Sequence, residues 1–100
     1  MQLGKMYLVK ELFWFLYPTK EVAEYGRSAG AAARRREGQV ANNAKLLSES
    51  FNCNVSFVEE NTCVVLLEVD DDYYKFLDCN GNIGWIICQD FSNYFELVKE

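Results

Sequence analysis

The sequence predicts a mainly β protein, a small antiparallel barrel of five to six strands with a partly helical insertion. Three observations carry this expectation: a series of short apolar runs, the turn residues between them, and a length that leaves room for one core. The runs are Val55–Val58, Cys63–Val69, Tyr73–Leu77, Ile83–Ile87 and Tyr94–Val98. Their separators are polar: Glu59 to Thr62, Asp70-Asp71-Asp72, Asp78 to Asn82, and Cys88 to Asn93. Asn80-Gly81 is a strong hairpin signal, since both central positions of a primed turn want positive φ. Short strands joined by such turns build a barrel or sandwich, and only a small barrel fits this length.

One hundred residues make a single domain, expected over 1–100. It divides into a first strand region (1–18), an insertion (19–50) and the barrel strands (51–100). Half the residues are hydrophobic and 15% are aromatic, enough apolar surface to fold. Lys5 to Tyr17 reads as a strand or a bent pair of strands, stopped by Pro18, which lacks a backbone donor. Its apolar density is too high for alternation, so either both faces are buried or one is an interface, which leaves room for a homo-oligomer.

The insertion differs in composition. Thr19 is placed to cap a short helix over Lys20–Tyr25, with Gly26 closing it. Ser28 is placed to cap a second helix through Ala31–Arg36, weakened by Gly30 and Gly38. The remainder reads as an excursion, part helical and part mobile.

Charge and cysteine usage narrow the functional classes. Net charge is −5, unevenly spread: residues 1–18 carry +1, 19–50 carry +2 and 51–100 carry −8. Ten carboxylates against Lys75 and Lys99 disfavour nucleic-acid binding and favour a basic partner. The chain has no histidine, which excludes histidine acid–base catalysis and a Cys-His nucleophile. Cys53, Cys63, Cys79 and Cys88 lack zinc-knuckle spacing, so no metal and no cofactor is expected. Without a secretory leader, the four are expected to be free, mostly buried thiols in the cytoplasm. The longest apolar run, Leu12 to Tyr17, is far too short to span a membrane.

The order of elements from Val64 to Val98 resembles Src-homology-3 domains and their bacterial relatives. Leu66-Leu67-Glu68 ends a strand, Asp70–Asp72 forms an acidic loop, and Tyr73-Tyr74 opens the next strand. Asn80-Gly81 then makes the distal turn, Gly84-Trp85 starts the following strand, and Ser92-Asn93-Tyr94 leads into the last. The resemblance implies a binding groove for proline-rich segments. Tyr73 would stand where the family has its groove tryptophan, and Tyr94 at its groove tyrosine. Asp70, Asp71 and Asp72 would select a basic ligand residue, with Trp85 beside them. Three positions depart from the family: tyrosine replaces the groove tryptophan, Phe91 replaces the proline before Ser-Asn-Tyr, and the N-terminal tyrosine-rich motif is missing.

These residues lead to a first expectation: a non-enzymatic binding module for a protein partner, in the manner of an accessory or phage-encoded inhibitor or regulator. A second expectation is an oligomeric binder of an anionic, nucleotide-like small molecule. Arg27, Ser28, Arg34, Arg35 and Arg36, the basic cluster of the insertion, would hold that ligand. Asp70–Asp72 and Asp78–Asn82 lack the ligand spacing of a calcium site.

Overall fold

The structure, a computed structural model, describes residues 2–10, 14–24 and 40–99. Seven strands are present: β1 (Met6–Val9), β2 (Trp14–Leu16), β3 (Ser56–Val58), β4 (Cys63–Asp70), β5 (Tyr73–Leu77), β6 (Ile83–Ile87) and β7 (Phe95–Leu97). β5 and β6 match their expected bounds, and β3 and β4 fall within a residue of theirs. The apolar N-terminal region holds a bent pair, β1 and β2. The last expected strand is shorter, because residues Phe91–Tyr94 form one helical turn before β7 begins.

Five strands make one antiparallel sheet in the order β6-β5-β4-β1-β7, and β2 pairs with β3 in a second. Among the described residues, one doubly hydrogen-bonded bridge joins them. The Tyr17 N–H donates to the Trp85 carbonyl at 3.0 Å, and the Trp85 N–H returns to the Tyr17 carbonyl at 2.6 Å. Among the described residues the ladder stops at β3 and β7, so the curl is open where the sequence suggested a closed barrel.

Alternation in each strand sends side chains to two faces. The inner face carries Val9, Val64, Leu66, Phe76 and Ile86, each nearly solvent-free, together with Tyr7, Trp14, Leu16, Tyr74, Phe91 and Phe95. Phe15, Tyr17 and Trp85 point the other way and pack with Ala23, Ala44, Leu47 and Val55. Strand β2 therefore lies between two cores, which accounts for its unbroken apolar run. Of the two expectations for that run, burial on both faces holds for residues 14–17, all within 3% of fully buried. Leu12 and Phe13 lie outside the described residues.

The second core is roofed by chain from the insertion. Residues 20–24 are helical, and the Thr19 hydroxyl accepts from the Val22 N–H at 3.2 Å, the expected cap. A longer helix spans Val40–Phe51, a stretch the sequence reading assigned to the excursion without placing a helix. Among its described side chains, Ala44 and Leu47, one turn apart, make the buried contacts. Asn52, at φ +52°, ends it in the left-handed conformation. The Cys53 N–H then reaches the Ser48 carbonyl (3.0 Å) and the Asn52 N–H reaches that of Glu49 (3.3 Å), a Schellman pattern. The Ser48 hydroxyl donates to the Ala44 carbonyl and accepts from the Val55 N–H, tying the helix to the lead-in of β3. Gly26 and the helix expected from Ser28 lie outside the described residues.

The β5–β6 turn corrects one expectation. Of Asn80 and Gly81, only Gly81 has positive φ (+85°), so the turn is not the primed type. The Gly81 N–H reaches the Asp78 carbonyl (3.3 Å) and the Asp78 N–H reaches that of Asn82 (2.9 Å), the three-residue form with glycine at its left-handed position. Asp78 organises it. Its buried carboxylate accepts from the Asn80 N–H (2.9 Å), the Asn82 N–H (2.8 Å) and the Asn82 side-chain amide (3.1 Å). Asp78→Ala leaves two backbone donors unmet and is expected to cost about 2 kcal/mol in urea unfolding. Asp72→Ala, at an exposed position, is expected to stay within about 0.5 kcal/mol.

The cysteines depart from expectation in burial. Only Cys88 is buried; Cys53 and Cys63 are partly exposed, Cys79 is exposed, and no disulfide joins any of the four.

Candidate interaction surface

Tyr73, Trp85 and Asp70, three of the residues singled out for a partner, do come together. Tyr73 and Trp85 both pack at the second core, and Asp70 pairs with Tyr73 across β4 and β5. Their contacts, however, are made by the chain's own 20–24 turn. The Tyr73 hydroxyl donates to Glu24 Oε2 at 2.5 Å, and Lys20 forms an ion pair with Asp70. Lys20 Nζ also lies 4.9 Å from the Trp85 ring centre, with Lys75 Nζ at 5.7 Å. The hydrogen bond to Asp70 raises the Lys20 pKa, against a smaller desolvation effect. Lys75 in turn stands 3.6 Å from Glu68. This corner is an internal latch that holds the insertion on the sheet.

Tyr94 belongs to the opposite side. It packs edge-on against Trp14 at 5.3 Å and abuts the inner core. Tyr73 and Tyr94 therefore serve different cores and do not line one groove. Asp71 and Asp72 are exposed at the β4–β5 turn, where the Asp72 carbonyl accepts from the Cys88 N–H at 2.9 Å. Arg27, Ser28, Arg34, Arg35 and Arg36 lie outside the described residues. Among those described, no group of three or more Cys, Asp or Glu is arranged to hold a metal. No described helix is long and apolar enough to cross a membrane.

A different surface emerges from strand register. Met6 is opposite Val65, Val65 is opposite Leu77, and Leu77 is opposite Ile83. On the other flank the Val98 N–H donates to the Met6 carbonyl, which sets Val98 beside Met6. Cross-strand partners share a face. Ile83, Leu77, Val65 and Met6 thus form one row across β6, β5, β4 and β1 that ends on Val98, just past β7, roughly 19 Å from end to end at the usual strand spacing.

The row lies on the outer face, continuous with the half of the sheet that Trp85 and Tyr73 occupy. The helix and the 20–24 turn roof that half, and among the described residues no element is stacked over the row. Ile83 is 53% exposed, Met6 47% and Val98 38%; Val65 and Leu77 are half-buried. Leu8 and Cys63, paired and half-buried, extend the apolar surface on one side. Lys5 and Lys99 border the Met6–Val98 end.

Sequence reasoning missed the row because each strand contributes at most one of its members. Every strand alone shows an ordinary alternation, with outward apolar residues that carry no special signal. The signal lies in the register, and register became readable only once the turns and the bulge between Leu66 and Glu68 were known.

No protein-family model, curated protein or solved structure matches this chain. Its class is defined by its own geometry: a small, mainly β, antiparallel domain with one sheet face that the described residues roof only in part.

Proposed function

We propose that this chain is a non-enzymatic binding module whose partner is a protein, docked on the row Ile83–Leu77–Val65–Met6–Val98. The observation that carries the reading is the alignment of five outward apolar side chains across β6, β5, β4 and β1 to the end of β7. Contiguous bare apolar surface on a folded domain is usually covered in its working state. The lack of histidine anywhere in the chain supports binding over acid–base chemistry. The order of strands and turns resembles Src-homology-3-like barrels, and that likeness supports a binding role at the level of fold. The docking surface in this reading is nonetheless a new one, because Tyr73 and Trp85 are engaged by the chain itself. Four thiols without a disulfide fit a reducing cytoplasm as the setting.

The test is a partner captured from the native host, identified by mass spectrometry, purified and titrated calorimetrically. Met6→Asp and Ile83→Asp, at the two exposed ends of the row, are each expected to weaken its binding at least about tenfold. Asp71→Ala and Asp72→Ala are expected to leave it within about twofold. A partner held equally well by the two row variants would sink the reading.

A further inference from the structure

A cleft of about 520 Å³ opens beside the Phe91–Tyr94 turn, and Gln2, Tyr7, Tyr74, Gln89, Asp90 and Phe91 are among the residues that line it. Its volume falls within the ordinary range of small-ligand sites. Two features of its polar groups stand out.

The first concerns the phenols. Tyr7 is 4% exposed and Tyr74 is 5% exposed, and both rings pack on Phe91, at 5.3 and 4.4 Å. The Tyr7 oxygen accepts from the Gln2 backbone N–H at 2.9 Å, which leaves its proton to donate. Neither that proton nor the Tyr74 proton meets an acceptor among the described residues. A buried tyrosine hydroxyl normally finds a partner; the Tyr74 hydroxyl has none among the described residues, and the Tyr7 proton beside it is free of an acceptor, so both can donate to a group placed in the cleft. Burial raises the Tyr74 pKa, with Cys88 and Asp72 adding to the shift, which takes this phenol still further from ionising and leaves it a donor.

The second feature is Asp90. It precedes the helical turn, yet its side chain makes no capping hydrogen bond. Its carboxylate is open to accept from a ligand, and its charge works against an anionic one.

We propose that this cleft binds an uncharged ligand of the amide class. The carbonyl oxygen accepts from the Tyr7 and Tyr74 hydroxyls, and the N–H donates to Asp90. A cyclic amide and a peptide unit carry the same pair of groups, so both sources are probed. This site is separate from the apolar row and stands whether or not the row binds a protein.

The experiment is a two-dimensional NMR titration of the whole chain with uracil, with N-acetylalanine N-methylamide and with acetate. At least one amide probe is expected to give saturable shifts around Tyr7, Tyr74 and Asp90 at millimolar concentration. Saturation by uracil alone identifies a free cyclic amide as the ligand type; saturation by the blocked alanine alone identifies a peptide. Tyr74→Phe, which keeps the ring and removes only the hydroxyl, is expected to weaken binding roughly fivefold or more. Asp90→Ala, at an exposed position, is expected to weaken it several-fold with the spectrum of the fold unchanged. Three results would overturn the proposal: no saturation by either amide, undiminished affinity in both variants, or tighter binding of acetate than of the amides.

Discussion

Phe91→Ala is expected to lower stability by about 4 kcal/mol, the upper part of the range for removing a buried aromatic ring. Phe91 is only 8% exposed although it opens a four-residue helical turn. Its ring stacks on Tyr74 at 4.4 Å, on Phe95 at 4.9 Å and on Phe76 at 6.1 Å, and takes the edge of Tyr7 at 5.3 Å. Truncation removes all four contacts at once. The hole cannot close by a single rotamer change, because its walls come from β1, β5 and β7. The measurement is urea unfolding, read as a large fall in midpoint with an unchanged slope. Ser92→Ala, one residue on and exposed, is expected to stay within about 0.5 kcal/mol. A Phe91→Ala loss below about 2 kcal/mol would mean that this aromatic stack is not the centre of the inner core.

Gly84→Ala is expected to cost about 3 kcal/mol, for the opposite reason: there is no room. A Cβ at Gly84 would lie 2.6 Å from Leu16 Cβ, 2.8 Å from the Leu16 carbonyl carbon and 3.0 Å from Leu16 Cα. Two of those three atoms are backbone, so no side-chain rotation relieves the overlap. Strand β2 must retreat from β6, straining the Tyr17–Trp85 bridge. For a domain of this size the melting temperature should fall by roughly 12–20 °C. Leu16→Ala in the same chain should not rescue it, since the clashing atoms of Leu16 remain. A Gly84→Ala protein that melts within about 3 °C of wild type would show that β2 does not pass this close to β6.

These two residues show what the sequence could and could not say. Gly84 was legible as the start of a strand, and Trp85 beside it as an aromatic position. Why a glycine sits in the middle of a sheet was not legible, because the reason is a backbone from a segment far away in the chain. Phe91 was noticed only as a departure from a proline, and its place at the centre of an aromatic stack depends on tertiary packing. Strands β4, β5 and β6 were readable because their signals are local: alternation, acidic turns and an Asp-to-Asn loop. The Val40–Phe51 helix was missed although its sequence carries a helical pattern, with Val40, Ala44, Leu47 and Phe51 at i, i+4, i+7 and i+11; the glycines and arginines before it masked the signal. Its end was signposted by Asn52, a residue that tolerates the left-handed conformation.

The candidate surface followed the same division. Asp70, Tyr73 and Trp85 lie close together because they sit on adjoining hairpins. That Lys20 and Glu24 engage them depends on where the insertion folds back, which no local signal records. The apolar row needed the register of five strands at once.

The bridge between β2 and β6 also bears on the order of folding. The β4–β5 and β5–β6 hairpins close short loops and can form early, while the Tyr17–Trp85 pair closes most of the chain. Strand β2 would then dock late, onto a sheet already made, with the 20–24 turn settling over Trp85 as it arrives. A strand that joins after the transition state governs how fast the native protein opens, and hardly changes how fast it forms. By that logic the narrow passage at Gly84 acts as a kinetic fastener: crowding it should hasten unfolding and leave the refolding rate close to that of wild type.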